Sequence, residues 1–353
     1  MGLKILHSAD WHLDSPFASF SPEQREYLKK KQLEIPGKIK TLVKTRDCDL
    51  VLLAGDLFDG AWNRDTLDLV RDTLAACRVP VFIAPGNHDH VGPESPWEER
   101  WPGNVRIFRG GLESVALPEL DCRVWGAGFA SMDSPALLEG FRAEGAEPFR
   151  VAVLHGDPTS AASPCNPVTA AQVRTSGLQY LALGHIHKGG TLRAGGTLCA
   201  WPGCPMGRGW DETGDKGVFL AEVEQTAKVK GISLDTPRFY QQELEINGDA
   251  ARMLERVLPG ADTRDFYRVT LTGRGRPDLR GLLRQFAHVP NLELRDKTTA
   301  PADLWADAGA DSLRGAYFGI LKELSLDPEQ AEQAKLAAEI SLRLLEGREV
   351  TLP

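Results

Sequence analysis

No stretch of this chain stays apolar long enough to cross a membrane. Its first residues, Met1-Gly2-Leu3-Lys4-Ile5-Leu6-His7, run straight into a strand pattern without the charged and apolar blocks of a secretory leader. A cytoplasmic location is therefore expected. Internal repeats and low-complexity tracts are also missing, which argues against a solenoid or a largely disordered chain. Cysteine is sparse, with six residues at 48, 77, 122, 165, 199 and 204, mostly in or beside apolar runs. Cys199 and Cys204 form the only close pair, and they lack the second pair or nearby histidines that a zinc site needs. Reduced, partly buried thiols are expected instead. Positive charge is in deficit: the formal net charge of -8 excludes a surface that is basic all over. Contact with nucleic acid must then be local or assisted by a partner.

At 353 residues the chain can bury a large core and divide into two domains. One candidate for such local contact is the segment from Arg25 to Arg46, where Arg25, Lys29, Lys30, Lys31, Lys38, Lys40, Lys44 and Arg46 stand against only Glu26 and Glu34. A solvated helical face and a phosphate-contacting one both fit it.

Six of the eight histidines fall inside or beside five short polar clusters, each closing an apolar run. Asp10 and His12 follow Leu3-Lys4-Ile5-Leu6, and Gly55-Asp56-Leu57-Phe58-Asp59 follows Leu50-Val51-Leu52-Leu53. Gly86-Asn87-His88-Asp89 follows Val79-Pro80-Val81-Phe82-Ile83, and His155-Gly156 follows Val151-Ala152-Val153-Leu154. Gly184-His185-Ile186-His187 follows Tyr180-Leu181-Ala182-Leu183. Aliphatic and β-branched runs bounded by Gly, Pro and polar residues predict buried strands, so the polar groups sit at strand ends. Asp-x-His and His-x-His each place two donors one residue apart, within reach of a single metal or a pair. The set reads as a two-metal hydrolytic site. Two divalent cations suit hydrolysis because they neutralise anionic oxygens and lower the pKa of a bridging water toward neutrality. Mixed imidazole, carboxylate and carboxamide donors suit Mn²⁺, Fe²⁺ or Zn²⁺ without selecting among them.

In order, D-x-H, G-D-x-x-D, G-N-H-D, H-G and G-H-x-H resemble the calcineurin-like metallophosphoesterase superfamily over about the first two-thirds of the chain. Asp10-Trp11-His12-Leu13-Asp14-Ser15-Pro16-Phe17, Gly184-His185-Ile186-His187-Lys188, and Trp201-Pro202-Gly203-Cys204-Pro205 with Glu212-Thr213-Gly214 are similar to SbcD-type DNA repair nucleases of the YhaO-like branch. The resemblance implies that Asp10, His12 and His187 hold one metal, that Asn87, His155 and His185 hold the other, and that Asp56 bridges them. It further implies that His88 is the catalytic histidine, donating a proton to the departing oxygen, with Asp59 orienting it. The expected metal is Mn²⁺. Asp89 fits either a supporting role behind the ligands or a turn cap. His7 is read as a buried structural residue, while His90 and His288 receive no role. In the 201–214 loop, Trp201, Arg208 and Trp210 either grip substrate or simply pack.

The implied activity is metal-dependent phosphodiester hydrolysis, as an exo- or endonuclease subunit acting on DNA. The implied partner is an SMC-like ATPase of the SbcC or YhaN kind, with a homodimer as the family expectation and no membrane. Two other readings remain: a phosphoesterase acting on nucleotides or phosphoproteins, and a non-catalytic scaffold for the ATPase. The expected fold is α/β, a four-layer α/β/β/α sandwich over 1–225. A linker at 225–237 leads to a small α+β capping domain over 238–300 and terminal helices over 310–353. The last helix is expected from residue 328, with Asp327 as its cap and Pro328 in its first turn.

Overall fold

The computed structural model describes residues 2–259, 264–299 and 303–345. They form two compact units: one from Met1–Gln242 with the segments Leu258–Val269 and Phe286–Glu293, the other from Glu243–Val257, Thr270–Gln285 and the chain from Leu294 onward.

In the first unit, β1 (Leu3–Ser8), β2 (Leu50–Leu53), β3 (Val81–Ile83) and β4 (Val105–Ile107) lie side by side and parallel. Six further strands, β5 (Glu113–Leu117), β6 (Cys122–Gly126), β7 (Phe149–His155), β8 (Tyr180–Gly184), β9 (Lys188–Ala194) and β10 (Thr197–Gly203), make a second sheet in the order β5-β6-β7-β8-β10-β9. The chain then returns to the first sheet, where β11 (Gly217–Val223) pairs antiparallel with β1 and β12 (Ala227–Ser233) with β11.

Side-chain alternation along these strands explains the layers. Leu3, Ile5, Leu50, Leu52 and Phe82 share one core with Val124, Val151, Val153, Tyr180, Ala182 and Leu198, which joins the two sheets face to face. The intervening residues Leu6, Val51, Leu53, Val81 and Ile83 pack the opposite way. They meet Leu28 of α1 (Pro22–Leu33), Ile35, Ile39 and Val43 of α2 (Ile35–Thr45), and Leu67, Val70 and Leu74 of α3 (Arg64–Ala75). On the far face of the second sheet, Ala152, Leu154, Leu181, Leu183 and Cys199 meet Val173 of α4 (Ala170–Thr175) and the surrounding loops. The result is an α/β/β/α sandwich. Its central strands are buried on both faces, which is why they read as unbroken apolar runs.

One expectation fails. Residues 225–237 are not a linker: β12 extends the first sheet with Phe219 opposite Gly231 and Val223 opposite Ala227. Its exposed Lys228 and Lys230 give it the polar look of an edge strand, which hides it from a search for apolar runs.

β13 (Phe239–Ile246), β14 (Phe266–Gly273) and β15 (Leu292–Asp296) form a third sheet in that order. Phe239 and Phe266 stack at 4.7 Å and join Phe20 and Trp210 in the core of the first unit. The second unit contains α5 (Ala250–Leu254) and α6 (Leu279–Gln285). It also holds the pair α7 (Leu313–Leu324) and α8 (Ala331–Leu345), where Phe318 and Leu321 pack on Ala338 and Leu342. Helix α8 starts three residues later than expected, because Asp327 caps a preceding turn by accepting from the Glu329 amide at 3.0 Å. The stretch after Leu345 lies outside the described residues. No helix among the described residues is long and apolar enough to cross a membrane.

Candidate metal centre

All five polar clusters arrive at one end of the two central sheets. The loops after β1 and β2 run together: the Asp10 amide donates to Gly55 O at 3.0 Å, that of His12 to Asp56 O at 2.9 Å, and that of Leu13 to Leu57 O at 2.9 Å. Gln32 of α1, 1% exposed, braces them by donating to the carbonyls of Trp11 and His12. Asp10, His12, Asp56 and His185 all have positive φ, at 54°, 46°, 52° and 93°. A side chain adopts that conformation only where its surroundings enforce it, at a cost of order 1–3 kcal/mol. Gly86 permits a close approach of two ligand loops, since a Cβ there would stand 2.2 Å from Asp56 Oδ1.

The donors converge in a way that protein groups alone do not satisfy. His12 Nδ1 pairs with Asp59 Oδ1 at 3.1 Å and His187 Nδ1 with Glu212 Oε1 at 2.7 Å. A carboxylate accepts, so each Nδ1 carries the hydrogen, and in the neutral rings that bind metal each Nε2 keeps its lone pair. Those two Nε2 atoms face each other at 3.1 Å. A second convergence lies beside the first. His155 Nδ1 donates to the Ala54 carbonyl at 2.8 Å, which leaves its Nε2 as a lone pair 2.9 Å from Asn87 Oδ1. The same Asn87 oxygen is 3.2 Å from His185 Nδ1. Asp56 Oδ2 stands between the two groups, 3.7 Å from His12 Nε2 and 3.4 Å from His155 Nε2. Asp10 Oδ1 accepts from the His185 amide at 2.9 Å, while its buried Oδ2 has no hydrogen-bond partner. Facing lone pairs and an orphaned buried carboxylate oxygen are costly without a cation among them. The donor set therefore fits divalent metal.

Among the described residues, metal-competent donor atoms lie within 4.8 Å of one another in three overlapping groups: Asp10 with His12 and His187, His12 with Asp56 and His88, and Asp10 with Asp56 and His155. Sequence reasoning named every one of these residues. The structure also brings Asn87 and His185 to them.

Asp59 has more contacts than expected. Its Oδ1 faces His88 Nδ1 at 3.3 Å as well as His12, and its Oδ2 accepts from Ser15 Oγ at 2.8 Å. Burial alone would raise its carboxyl, but the hydrogen bonds from His12, His88 and Ser15 hold it well below the usual carboxylate range. The same bond to Asp59 raises His88, with help from the Asp56 charge. The His88 side chain is 41% exposed, whereas those of His12 and His155 are fully buried. Burial lowers His12 and His185, whereas at His187 burial is outweighed by the Glu212 hydrogen bond and the Asp10 charge, which raise it. Asp89 lies behind the ligands and takes the amides of Gly86 at 2.8 Å and Leu57 at 2.6 Å, which ties two of the loops together.

His7, read as structural, is fully buried away from these clusters, with Nε2 on the Leu183 carbonyl and Nδ1 on the Tyr180 hydroxyl. His90 bonds the Asn87 carbonyl at 3.1 Å, and His288 lies near Phe286. The loop tryptophans pack: Trp201 is 9% exposed and Trp210 lies against Phe20 and Phe239. All six cysteines are buried and unpaired. Sequence reasoning had Glu212 only as part of the resemblance and Arg208 as either gripping substrate or packing; it paired neither with His187, which the structure does.

A family model described as calcineurin-like phosphoesterase matches residues 3–189. The uncharacterized metallophosphoesterase YhaO of Bacillus subtilis is 34% identical over 237 residues, covering 63% of this chain and 57% of that protein. The SbcD component of the nuclease SbcCD from the same organism is 24% identical over 268 residues, covering 63% of this chain and 66% of that protein. The chain thus aligns with less than two-thirds of the length of these curated relatives. A solved dimetal phosphatase from Danio rerio is similar with a TM-score of 0.45 and 14% identity, over 65% of this chain and 95% of that one. With the matched model spanning more than half of its residues, this chain belongs to the calcineurin-like phosphoesterase family.

Proposed function

We propose that the protein is a two-metal phosphodiesterase that serves as the nuclease subunit of a DNA end-processing complex. The observation that carries the metal reading is the pair of His12 and His187 lone pairs facing each other at 3.1 Å, beside an orphaned Asp10 oxygen. In this reading Asp10, His12 and His187 hold one ion, Asn87, His155 and His185 hold the other, and Asp56 serves both. Mn²⁺ is our choice of metal, following the SbcD-type resemblance. When bound, such ions neutralise phosphate oxygens and make an attacking water more acidic.

The protein's own part falls to His88. Its Nδ1 is held by Asp59, which leaves Nε2 to donate a proton to the leaving oxygen as the P–O bond breaks. The imidazole ends neutral and regains its proton from solvent. The bond to Asp59 raises His88, the direction that such a donation requires. Support for DNA as substrate comes from the similarity to the SbcD component of the nuclease SbcCD. An SMC-like ATPase partner and a cytoplasmic location belong to the same reading. A phosphoesterase acting on nucleotides or phosphoproteins is the alternative that shares this chemistry, since metal ligands report the reaction and not the substrate. A non-catalytic scaffold fits less well, because His88 and the full donor set are present.

The test is Mn²⁺-loaded protein incubated in parallel with linear duplex DNA, circular single-stranded DNA and bis(p-nitrophenyl) phosphate. Cleavage of DNA along with the small diester is expected. Cleavage of the small diester alone would move the assignment to nucleotides or phosphoproteins.

A further inference from the structure

Glu212 lies in the loop after β10, outside the residues matched by the family model, and is 5% exposed. Its carboxylate is shared between two tasks. Oε1 takes the His187 Nδ1 hydrogen at 2.7 Å, while the Arg208 side chain approaches the same oxygen at 2.8 Å through Nη2. Oε2 accepts from the Arg208 amide at 2.7 Å, and the Cys204 thiol lies 3.6 Å from it. The Arg208 guanidinium also reaches Asp59 Oδ1 at 3.5 Å, so it bridges the carboxylate behind His187 and the one behind His12 and His88. A buried carboxylate on the far nitrogen of a metal-ligating imidazole fixes its tautomer and ring angle and makes it a stronger donor.

We propose that Glu212 is a positioning residue for the metal centre: through its bond to Nδ1 it presents the His187 Nε2 lone pair to the ion shared with Asp10 and His12. This rests on the two-metal reading above. The competing role is purely structural, in which Glu212 merely anchors Arg208 and closes the 204–212 loop. The two differ in what Arg208 variants do. If Glu212 positions His187, removing Arg208 leaves that bond in place; if it only closes the loop, removing either partner has the same effect.

Mn²⁺ alone, titrated into metal-depleted full-length protein by calorimetry, separates them, with folding checked by thermal melting. For Glu212→Ala we expect Mn²⁺ affinity at the His187 site to fall roughly 10–100-fold, the usual effect of removing such a carboxylate. Glu212→Gln, which keeps an acceptor of the same shape, should recover part of the loss and guards against misfolding of the alanine variant. Arg208→Met, which loses the contacts to Asp59 and the His187 ring but keeps the Glu212–His187 bond, should lose clearly less Mn²⁺ affinity than Glu212→Ala. Wild-type affinity in both Glu212 variants would overturn the proposal and leave the two-metal reading standing, as would an equal loss in Arg208→Met. Absence of Mn²⁺ binding by the wild type would overturn both.

Discussion

At the scale of single residues, the assignments separate by exposure. Asp10, His12, Asp56, Asn87 and His155 are buried and the His187 side chain is 27% exposed, whereas that of His88 is 41% exposed and has a carboxylate behind it. Replacing His88 with Ala should therefore leave the metal content unchanged and lower turnover of a small diester by roughly 10²–10⁴-fold. Elemental analysis alongside the rate decides this, and a joint loss of metal and rate would make His88 a ligand. His7 offers a contrasting case. Burial pushes it from 6.5 to about 3, so the folded protein takes it neutral while the unfolded chain takes a proton below 6.5. Its contribution is complete above pH 6.5 and is lost as the pH falls from there toward 3, at up to about 1.4 kcal/mol per pH unit. Urea unfolding between pH 7.5 and 5 should show wild type losing stability faster than His7→Gln; parallel curves would contradict a neutral, buried His7. His7 was legible from the sequence because it sits inside an apolar run, and the ligands were legible because each follows one. The pairing of Glu212 and Arg208 with His187 was not, because only the return of the chain after β10 brings them together.

At the scale of elements, the site depends on two sheets meeting where their strands end. Gly184, the last residue of β8, marks one such close approach: a Cβ there would be 2.0 Å from the Ala54 carbonyl and 2.9 Å from the Ala9 methyl. Both neighbours are parts of the first sheet's ligand loops, and backbone cannot yield as a flexible side chain does. Gly184→Ala should cost about 1–3 kcal/mol, as overpacking generally does, and should reduce metal binding by displacing His185 and His187. Unfolding midpoints and metal content measured on the same preparation test it; an unchanged midpoint would mean that the sheets separate at little cost. Strands β1, β2, β7 and β8 were legible as apolar runs because both their faces are buried. The edge strand β12 was not, since its alternating Lys228 and Lys230 resemble linker composition.

At the scale of the whole molecule, the sequence pattern placed all five ligand clusters ahead of residue 190 and the first unit ends well beyond them. Phe239 and Phe266 are fully buried against Phe20 and Trp210, so the core of the first unit draws on chain that composition alone assigns to a later domain. Aromatic packing across such sequence separation leaves no local periodicity to read. The net charge of -8 confines any DNA contact to local features, among them the exposed Lys29 and Lys30 of α1. We propose that the donors at the strand ends hold two ions and that the centre hydrolyses phosphodiesters. The direct measurement is hydrolysis of bis(p-nitrophenyl) phosphate by metal-depleted protein as Mn²⁺ is added back in known amounts. We predict no turnover without metal and a rate that climbs until two ions are bound per chain. A rate that saturates at one ion, or turnover that persists after complete metal removal, would contradict it.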